Sequence, residues 1–476
     1  MKGRPMFDFS VLDDRAVREV HDTALEILET IGMEIAGEAP RRALLDAGAR
    51  EKEGRILYPH DLIEKTLKQA PQQGFELVGR DGAHRVRAVP GVVHFRPAGG
   101  LPFLIEYPSL RRRPATLEDA RVMVRVADAC DGIHVVNSAV SPAELGVGVP
   151  NLRRFVNAIE HSTKPSDITA SSPEEVRGVA RIAEVVRGSR EALDREPIAL
   201  VYVSPTSPMR LSEPEALAVM ECARANLPLA PLSCPTLAAT APVTLAGAVA
   251  QEWAEDLALM TLAYTVRPGL PVVACSRLFP VDMRRGITVF SGPAPGLGTA
   301  ALTRVAASFR IPANGWGFST ASHAPDLQAG AERMMGALFA VLAGTNMVSG
   351  AGALDNALSS SPEQLVIDNE LISLLGNAVR GVPVTADALA REFLADGIRE
   401  GTFMASPHTL EHLRTGDVWF ADLFSDEPYE TWNRKAAPLL ERAHARVGEI
   451  LRTHEIPPIE PSARREIDVI LRSAGA

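Results

Sequence analysis

No run of eighteen uninterrupted apolar residues occurs in this 476-residue chain, so nothing in it reads as a membrane span. The most apolar stretch, Leu245–Leu262, carries Gln251, Glu252, Glu255 and Asp256 and predicts an amphipathic helix. The first ten residues begin with positive charge but lack the apolar stretch of a signal peptide. These absences predict a cytoplasmic protein with no membrane partner. Cysteine is scarce: Cys130, Cys222, Cys234 and Cys275 lie far apart with no Cys-x-x-Cys, which predicts four buried free thiols. With no compact Cys/His cluster, no metal site is expected. Charge of one sign never forms a long block, although the net charge is -10. Arg111–Arg113 and Arg284–Arg285 are short enough to be solvated loops, so nucleic acid is not an expected partner.

What is present is the composition of an ordinary globular protein, 46% hydrophobic and 23% charged. Val17, Val20, Ala24, Ile27, Leu28 and Ile31 recur at three- and four-residue spacing and predict a helix over 12–31. Short strands separated by Gly and Pro turns are expected over 75–107. From Thr116 the rhythm becomes strand then helix, about seven to eight times before residue 380. That rhythm predicts an α/β protein built as a (β/α)8 TIM barrel, with an open doubly wound sheet as the alternative. The expected division is an N-terminal helical and β extension (1–115), the barrel (116–383) and a C-terminal helical extension (384–476). In the tail, helices are expected over 388–395, from Ser406 and over 432–451. Pro457, Pro458 and Pro461 stiffen a linker before a last short helix.

A barrel places its active site at the C-terminal ends of its strands. The residues expected there include Asn137, Thr169, Ser233, Asn314, Trp316, Phe318 and the loop Ser349–Asn356. They are rich in hydroxyl, amide and glycine and poor in Lys and His. No Gly-x-Ser-x-Gly is present, no Gly-x-Gly-x-x-Gly follows a first strand, and no lysine sits at a strand end. A hydrolase elbow, a dinucleotide fold and a Schiff-base aldolase therefore lack support. No catalytic residue is assigned; the pocket holds and orients a substrate whose chemistry is supplied from elsewhere. Trp316 and Phe318 are candidates to face a cation, with core packing as the other role open to them. His323 is a loop candidate, and Asp326 next to it can cap the following helix. Ser349, Asp355 and Asn356 sit in a Gly-rich loop where side chains can approach a ligand. Glu252 shares a helix face with Asp256, either as a solvated pair or as carboxylates balancing a cationic substrate. Asp368 and Glu370 leave the same two roles open.

The chain resembles the trimethylamine methyltransferase superfamily, in its branch without pyrrolysine, which includes glycine betaine methyltransferases. The resemblance rests on Arg112-Arg113-Pro114-Ala115-Thr116-Leu117-Glu118-Asp119, Thr163-Lys164-Pro165, Pro242–Gly247, Ala324–Glu332, Leu342–Asn346, Ser361–Glu370, Pro407-His408-Thr409-Leu410 and Tyr429–Trp432, and it extends from about Ala16 to Ala445. It implies a (β/α)8 barrel that moves a methyl group from a methylated amine to the Co(I) of a separate corrinoid protein. The cobalamin is then supplied by that partner and not held permanently by this chain. Because the chain has no pyrrolysine, the resemblance favours a small quaternary amine. If that amine carries a carboxylate, Arg277, Asn314 or a backbone nest is a candidate to fix its far end. Ser349 departs from the family, standing where several relatives carry His. A homo-oligomer is also expected. The competing readings are a lyase or aldolase-type barrel enzyme and a non-catalytic small-molecule-binding protein of the same fold.

Overall fold

The computed structural model describes residues 9–475 apart from Val147 and Ala436; the reading of the first eight residues lies outside them. Short parallel strands lie at the centre, linked by helices, in a mixed α/β fold. Ser166–Thr169, Ala199–Val203 and Leu229–Pro231 form one parallel sheet, with the second of them central. Ala274–Ser276, Ala313–Trp316, Met347–Ala351 and His94–Pro97 form another, in that order. Isolated parallel bridges join Leu229 to Val272 and Val136 to Ser166, and His134 N donates to the Phe95 carbonyl at 2.9 Å. Each of these contacts lies between the edges of the two sheets. The strand His94–Pro97, expected in the N-terminal extension, pairs directly with Met347–Ala351. The segment 133–138, expected as a strand, makes only the single bridge at Val136.

The helices start where local chemistry says they should. Thr116 and Asp119 form a reciprocal capping box ahead of Leu117–Ala129. Ser172 accepts from Glu175 N, Asp326 from Ala329 N and Ser361 from Gln364 N. The helix Pro293–Ser308 opens on a proline-rich turn. Its Pro293 and Pro295 fall in the first turn, where their missing N–H groups cost little. Gly296 and Gly298 look unhelical, yet each is needed for close packing: added Cβ atoms would sit 2.9 Å from Phe339 and 3.0 Å from Leu278. In the tail the single helix expected over 432–451 is two, Tyr429–Lys435 and Leu439–Thr453, with Pro438 at the break. The last helix, Pro461–Ser473, is longer than expected.

One expectation is overturned by packing. The helix Leu245–Val266 is not amphipathic: Glu252, Glu255 and Asp256 are buried along with almost every apolar residue it carries. The N-terminal helix Asp14–Glu26 covers it, and Trp253 Nε1 donates to His21 Nδ1 at 3.0 Å. Asp368 and Glu370 are likewise buried. Cys130, Cys222 and Cys275 are buried as expected, but Cys234 is exposed. No helix among the described residues is long and apolar enough to cross a membrane.

The strand faces change character along their length. Val135, Leu200, Val273 and Met347 form an apolar cluster with Leu77, Val86 and Ala88 of the hairpin made by Phe75–Val78 and Arg85–Ala88. Two residues further along the same segments, on the same face, lie Asn137, Tyr202, Cys275 and Ser349. Tyr202 and Cys275 still belong to the apolar cluster, and Asn137 and Ser349 bring polar groups in toward the C-terminal strand ends.

Candidate functional site

Ser349 is the centre of a polar constellation on those ends. It is fully buried, and its hydroxyl lies within hydrogen-bond distance of two guanidinium groups and an amide: Arg96 Nη1 at 2.8 Å, Arg277 Nη2 at 3.2 Å and Asn314 Nδ2 at 3.0 Å. Strand pairing explains the meeting. Met347–Ala351 lies between Ala313–Trp316 and His94–Pro97, with Trp316 opposite Ser349 and Phe95 opposite Val348.

The two arginines are held in different ways. Arg96 forms a bidentate pair with Asp167, Nε to Oδ2 at 2.5 Å and Nη2 to Oδ1 at 2.6 Å, and both side chains are buried. Asn137 donates to the same carboxylate at 3.1 Å, and the Arg96 guanidinium lies 4.9 Å over the Tyr202 ring. That fork fixes Arg96 and cancels its charge. Arg277 is equally buried, yet its guanidinium donates only to neutral groups: the Ser276 carbonyl at 2.7 Å, Asn314 Oδ1 at 2.5 Å and the Ser349 hydroxyl. Among the described residues no carboxylate pairs with it.

Beside Arg277 stands a set of rings. Its guanidinium lies 5.3 Å from the centroid of Trp316. Phe279 and Phe290 stack on each other with centroids 3.8 Å apart, and both meet Trp316 edge-on, at 6.1 and 5.9 Å. Trp316 is half-buried, so one part of this set remains open to a ligand.

The loops that carry these groups are pinned from behind by the helix Leu245–Val266. Glu252 accepts from Arg277 N at 2.6 Å. Asp256 accepts from Cys275 N at 2.9 Å and from the Ser233 hydroxyl at 3.0 Å. Glu255 accepts from Met209 N at 3.0 Å and the Ser207 hydroxyl at 2.7 Å. Burial holds all three carboxyls above the ordinary carboxylate range; for Glu252 and Asp256, repulsion from the neighbouring acids adds to it and raises them well above that range. Glu252 accepts from the Arg277 backbone N–H and not from its guanidinium, so the guanidinium keeps only neutral partners. Polar atoms without a partner gather here too: Glu252 Oε2, Ser276 Oγ, Asn137 Oδ1 and the Tyr202 hydroxyl.

The sequence-derived candidates therefore separate. Arg277, Asn314, Trp316 and Ser349 come together, with Glu252 behind them. His323, Asp355 and Asn356 form an outer group. His323 Nδ1 lies 2.7 Å from Asp355 Oδ1, and Asp355 also accepts from Arg112 at 2.8 Å and Ser359 at 2.9 Å. These bonds hold the Asp355 carboxyl below its usual range despite burial. Asn356 Oδ1 accepts from Phe290 N at 2.9 Å, which ties the loop to the ring set. Phe318 joins neither group; it is buried in the core against Phe95. Asp326 serves as a helix cap. Arg96, Asp167, Tyr202, Phe279 and Phe290 were not singled out from the sequence. The signal for the first two was a charged residue in the middle of a short strand.

A family model described as trimethylamine methyltransferase matches residues 3–473. A glycine betaine methyltransferase of Desulfitobacterium hafniense is 26% identical over 475 residues, 99% of this chain and 98% of that one. A trimethylamine methyltransferase of the same species is 26% identical over 95% of this chain and 91% of its own. The crystal structure of the Methanosarcina barkeri monomethylamine methyltransferase superposes with a TM-score of 0.49 at 12% identity, covering 94% of this chain and 96% of that one.

Proposed function

The chain belongs to the trimethylamine methyltransferase family, and from that premise we propose that it transfers a methyl group from a quaternary amine bearing an anionic group to the Co(I) of a corrinoid carried by a separate protein. It is a methyltransferase, with relatives named for glycine betaine and for trimethylamine. The observation that carries the choice of substrate is Arg277. A buried guanidinium with no carboxylate partner is costly unless an anion joins it. A carboxylated ammonium compound supplies that anion at one end. Its other end is a cation, for which Trp316, Phe279 and Phe290 offer aromatic faces.

The chemistry divides accordingly. An N-methyl group leaves readily only when nitrogen is positively charged, and a quaternary nitrogen carries that charge at every pH. Aromatic faces hold such a cation without the fixed countercharge of a carboxylate, which would oppose loss of the positive charge during transfer. Arg277 and Asn314 anchor the anionic end, so one methyl is presented outward in line for displacement. Co(I) of the partner supplies the nucleophile. The chain therefore needs no nucleophile or general base of its own, consistent with the absence of Lys and His from the inner constellation.

We further propose that the two parallel sheets are parts of one closed (β/α)8 barrel. The support is the set of contacts between their edges, at Val136–Ser166, at Leu229–Val272 and from His134 to Phe95. In this reading the barrel starts at His94, and the N-terminal extension ends before it. Val382, Ile398, Met404 and Phe420 are 63–84% exposed and offer apolar surface for a homo-oligomer in the cytoplasm.

The test mixes purified protein, the reduced corrinoid protein and a panel of glycine betaine, proline betaine, carnitine, choline and trimethylamine. The expected result is a substrate-dependent change in corrinoid absorbance with one of the carboxylated compounds. Turnover of choline or trimethylamine alone would remove the anionic requirement; no turnover with any would remove the quaternary-amine reading.

A further inference from the structure

The segment between the helices Pro362–Ala378 and Leu439–Thr453 has almost no core. Its helix Arg391–Glu400 buries only Gly397, and its helix Pro407–Thr415 buries no residue. Two such helices have little apolar burial to hold them together, so something else must fix their geometry.

One side-chain cluster ties the segment. His408 and His412 are four residues apart on the second helix, which puts them on one face, and their ring centroids are 4.0 Å apart. Asp387 comes from the turn ahead of the first helix. One ligating atom from each of Asp387, His408 and His412 lies within 4.8 Å of the others. Asp417, from the loop after the second helix, hydrogen-bonds His412 Nδ1 and also accepts from Arg380 at 2.8 Å.

The proton positions are informative. If Nδ1–H of His412 points at Asp417, then Nε2 presents a lone pair. That atom has no hydrogen-bond partner and faces Asp387 Oδ2 at 3.2 Å. Two electron-rich atoms so placed repel unless a proton or a metal ion sits between them. Ligands bound to a tetrahedral zinc ion at about 2.0–2.1 Å stand about 3.3 Å from each other, close to the observed separation. His408 obeys the same logic: its Nε2 lies 3.0 Å from the Asp387 carbonyl oxygen, which takes Nε2–H and leaves Nδ1 as the lone pair. A carboxylate behind a ligating histidine is the usual device for orienting the ring and raising its basicity.

We propose that Asp387, His408 and His412 bind one zinc ion, that Asp417 positions His412, and that the ion is the staple of the segment 387–417. Two imidazoles and a carboxylate suit zinc, and its fourth position is left for water. This site is separate from the methyl-transfer reading and does not rest on it. Its residues share no hydrogen bond with the strand-end constellation.

The test uses the full-length protein without a histidine tag, dialysed against zinc and then against metal-free buffer, with metal content measured by mass spectrometry. The expected content is about one ion per chain, as for a three-ligand protein site with water in the fourth position. The zinc-free protein titrated with cobalt(II) should develop the visible bands of a tetrahedral site. His408→Ala and His412→Ala should each abolish binding. Asp417→Asn should weaken it by about 10–100-fold without changing the cobalt spectrum. Limited proteolysis should cut within 387–417 faster after zinc removal. Wild-type protein that keeps no zinc and gives no cobalt bands overturns the site, whether or not the variants fold; that outcome means His412 is simply protonated between two aspartates. Stoichiometric zinc retained by the His408→Ala/His412→Ala double variant overturns it as well, by placing the ion elsewhere.

Discussion

The strand-end constellation and the segment 387–417 solve the same problem in opposite ways. Each brings Asp to a cationic or basic partner across a long sequence separation. At the strand ends the pair is Arg96 with Asp167, enclosed at 9% and 3% side-chain exposure. In the tail the pair is His412 with Asp387, and Asp387 is 73% exposed. The first geometry is imposed by packed strands and by a buried helix whose acids pin the loops. The second is set by a few polar side chains with little behind them. Burial makes an interaction strong mainly because breaking it is costly; exposed pairs cost little to lose.

The largest expected effect comes from the buried pair. Asp167→Ala leaves Arg96 charged and unpaired in the interior and should cost about 3–5 kcal/mol in a urea unfolding experiment. Asp396→Ala, which removes an exposed partner of Arg399, should cost less than about 0.5 kcal/mol. Similar losses for the two variants would break the contrast.

Next comes Trp316→Ala. A desolvated cation–ring contact is worth about 2 kcal/mol, so the variant should bind the quaternary substrate about 30-fold more weakly. Phe318→Ala should instead lower stability, because Phe318 packs in the core against Phe95. Unchanged substrate affinity in Trp316→Ala would remove the ring from the site.

These two aromatics show what was legible in the sequence. The rule that strand ends carry the site pointed to Arg277, Asn314, Trp316 and Ser349, which the structure brings together. It could not separate Trp316 from Phe318, because the chain leaves the strand between them: Gly317 packs so tightly that an added Cβ would sit 2.4 Å from Val348. Arg96 was hidden because its strand is followed not by a helix but by Phe103–Ile105 and Arg112–Pro114, which pair antiparallel and broke the expected rhythm. For the acids of Leu245–Val266 the spacing left a solvated face and a charge-balancing role both open; only tertiary contacts reveal that they accept backbone N–H groups of two segments, Cys275 and Arg277 on one and Met209 on the other. The histidine pair of the tail was visible as an i,i+4 pattern, but its carboxylate partner lies 21 residues earlier, outside the span of a compact sequence cluster.

A smaller effect, set by the buried acids behind the strand ends, is read through pH. The carboxyls of Glu252, Glu255 and Asp256 are raised in the folded state, so the folded protein holds their protons more tightly than the unfolded chain does. Their contribution is therefore most favourable below the ordinary carboxylate range and is lost as pH rises through the raised folded values. Asp119, Asp128 and Asp355 are lowered and act in the opposite sense, losing their stabilisation as pH falls. Glu252→Gln keeps an acceptor for Arg277 N but cannot ionise. Its unfolding free energy, subtracted from wild type across pH, should show relative gain for the variant as pH rises. A difference that does not depend on pH would mean that Glu252 ionises alike in both states.

The smallest effect tests the tail itself. Met404 is 84% exposed and should tolerate Met404→Ser within about 0.5 kcal/mol, because a surface side chain without neighbours has little to lose. The measurement is best made at two protein concentrations. A cost well above that, growing with concentration, would mean that a second copy covers the apolar residues of the tail, and that this region is stabilised by packing after all, between chains instead of within one. A cost that is small at both concentrations would leave the Asp387, His408 and His412 cluster, with the ion proposed for it, as what orders the segment.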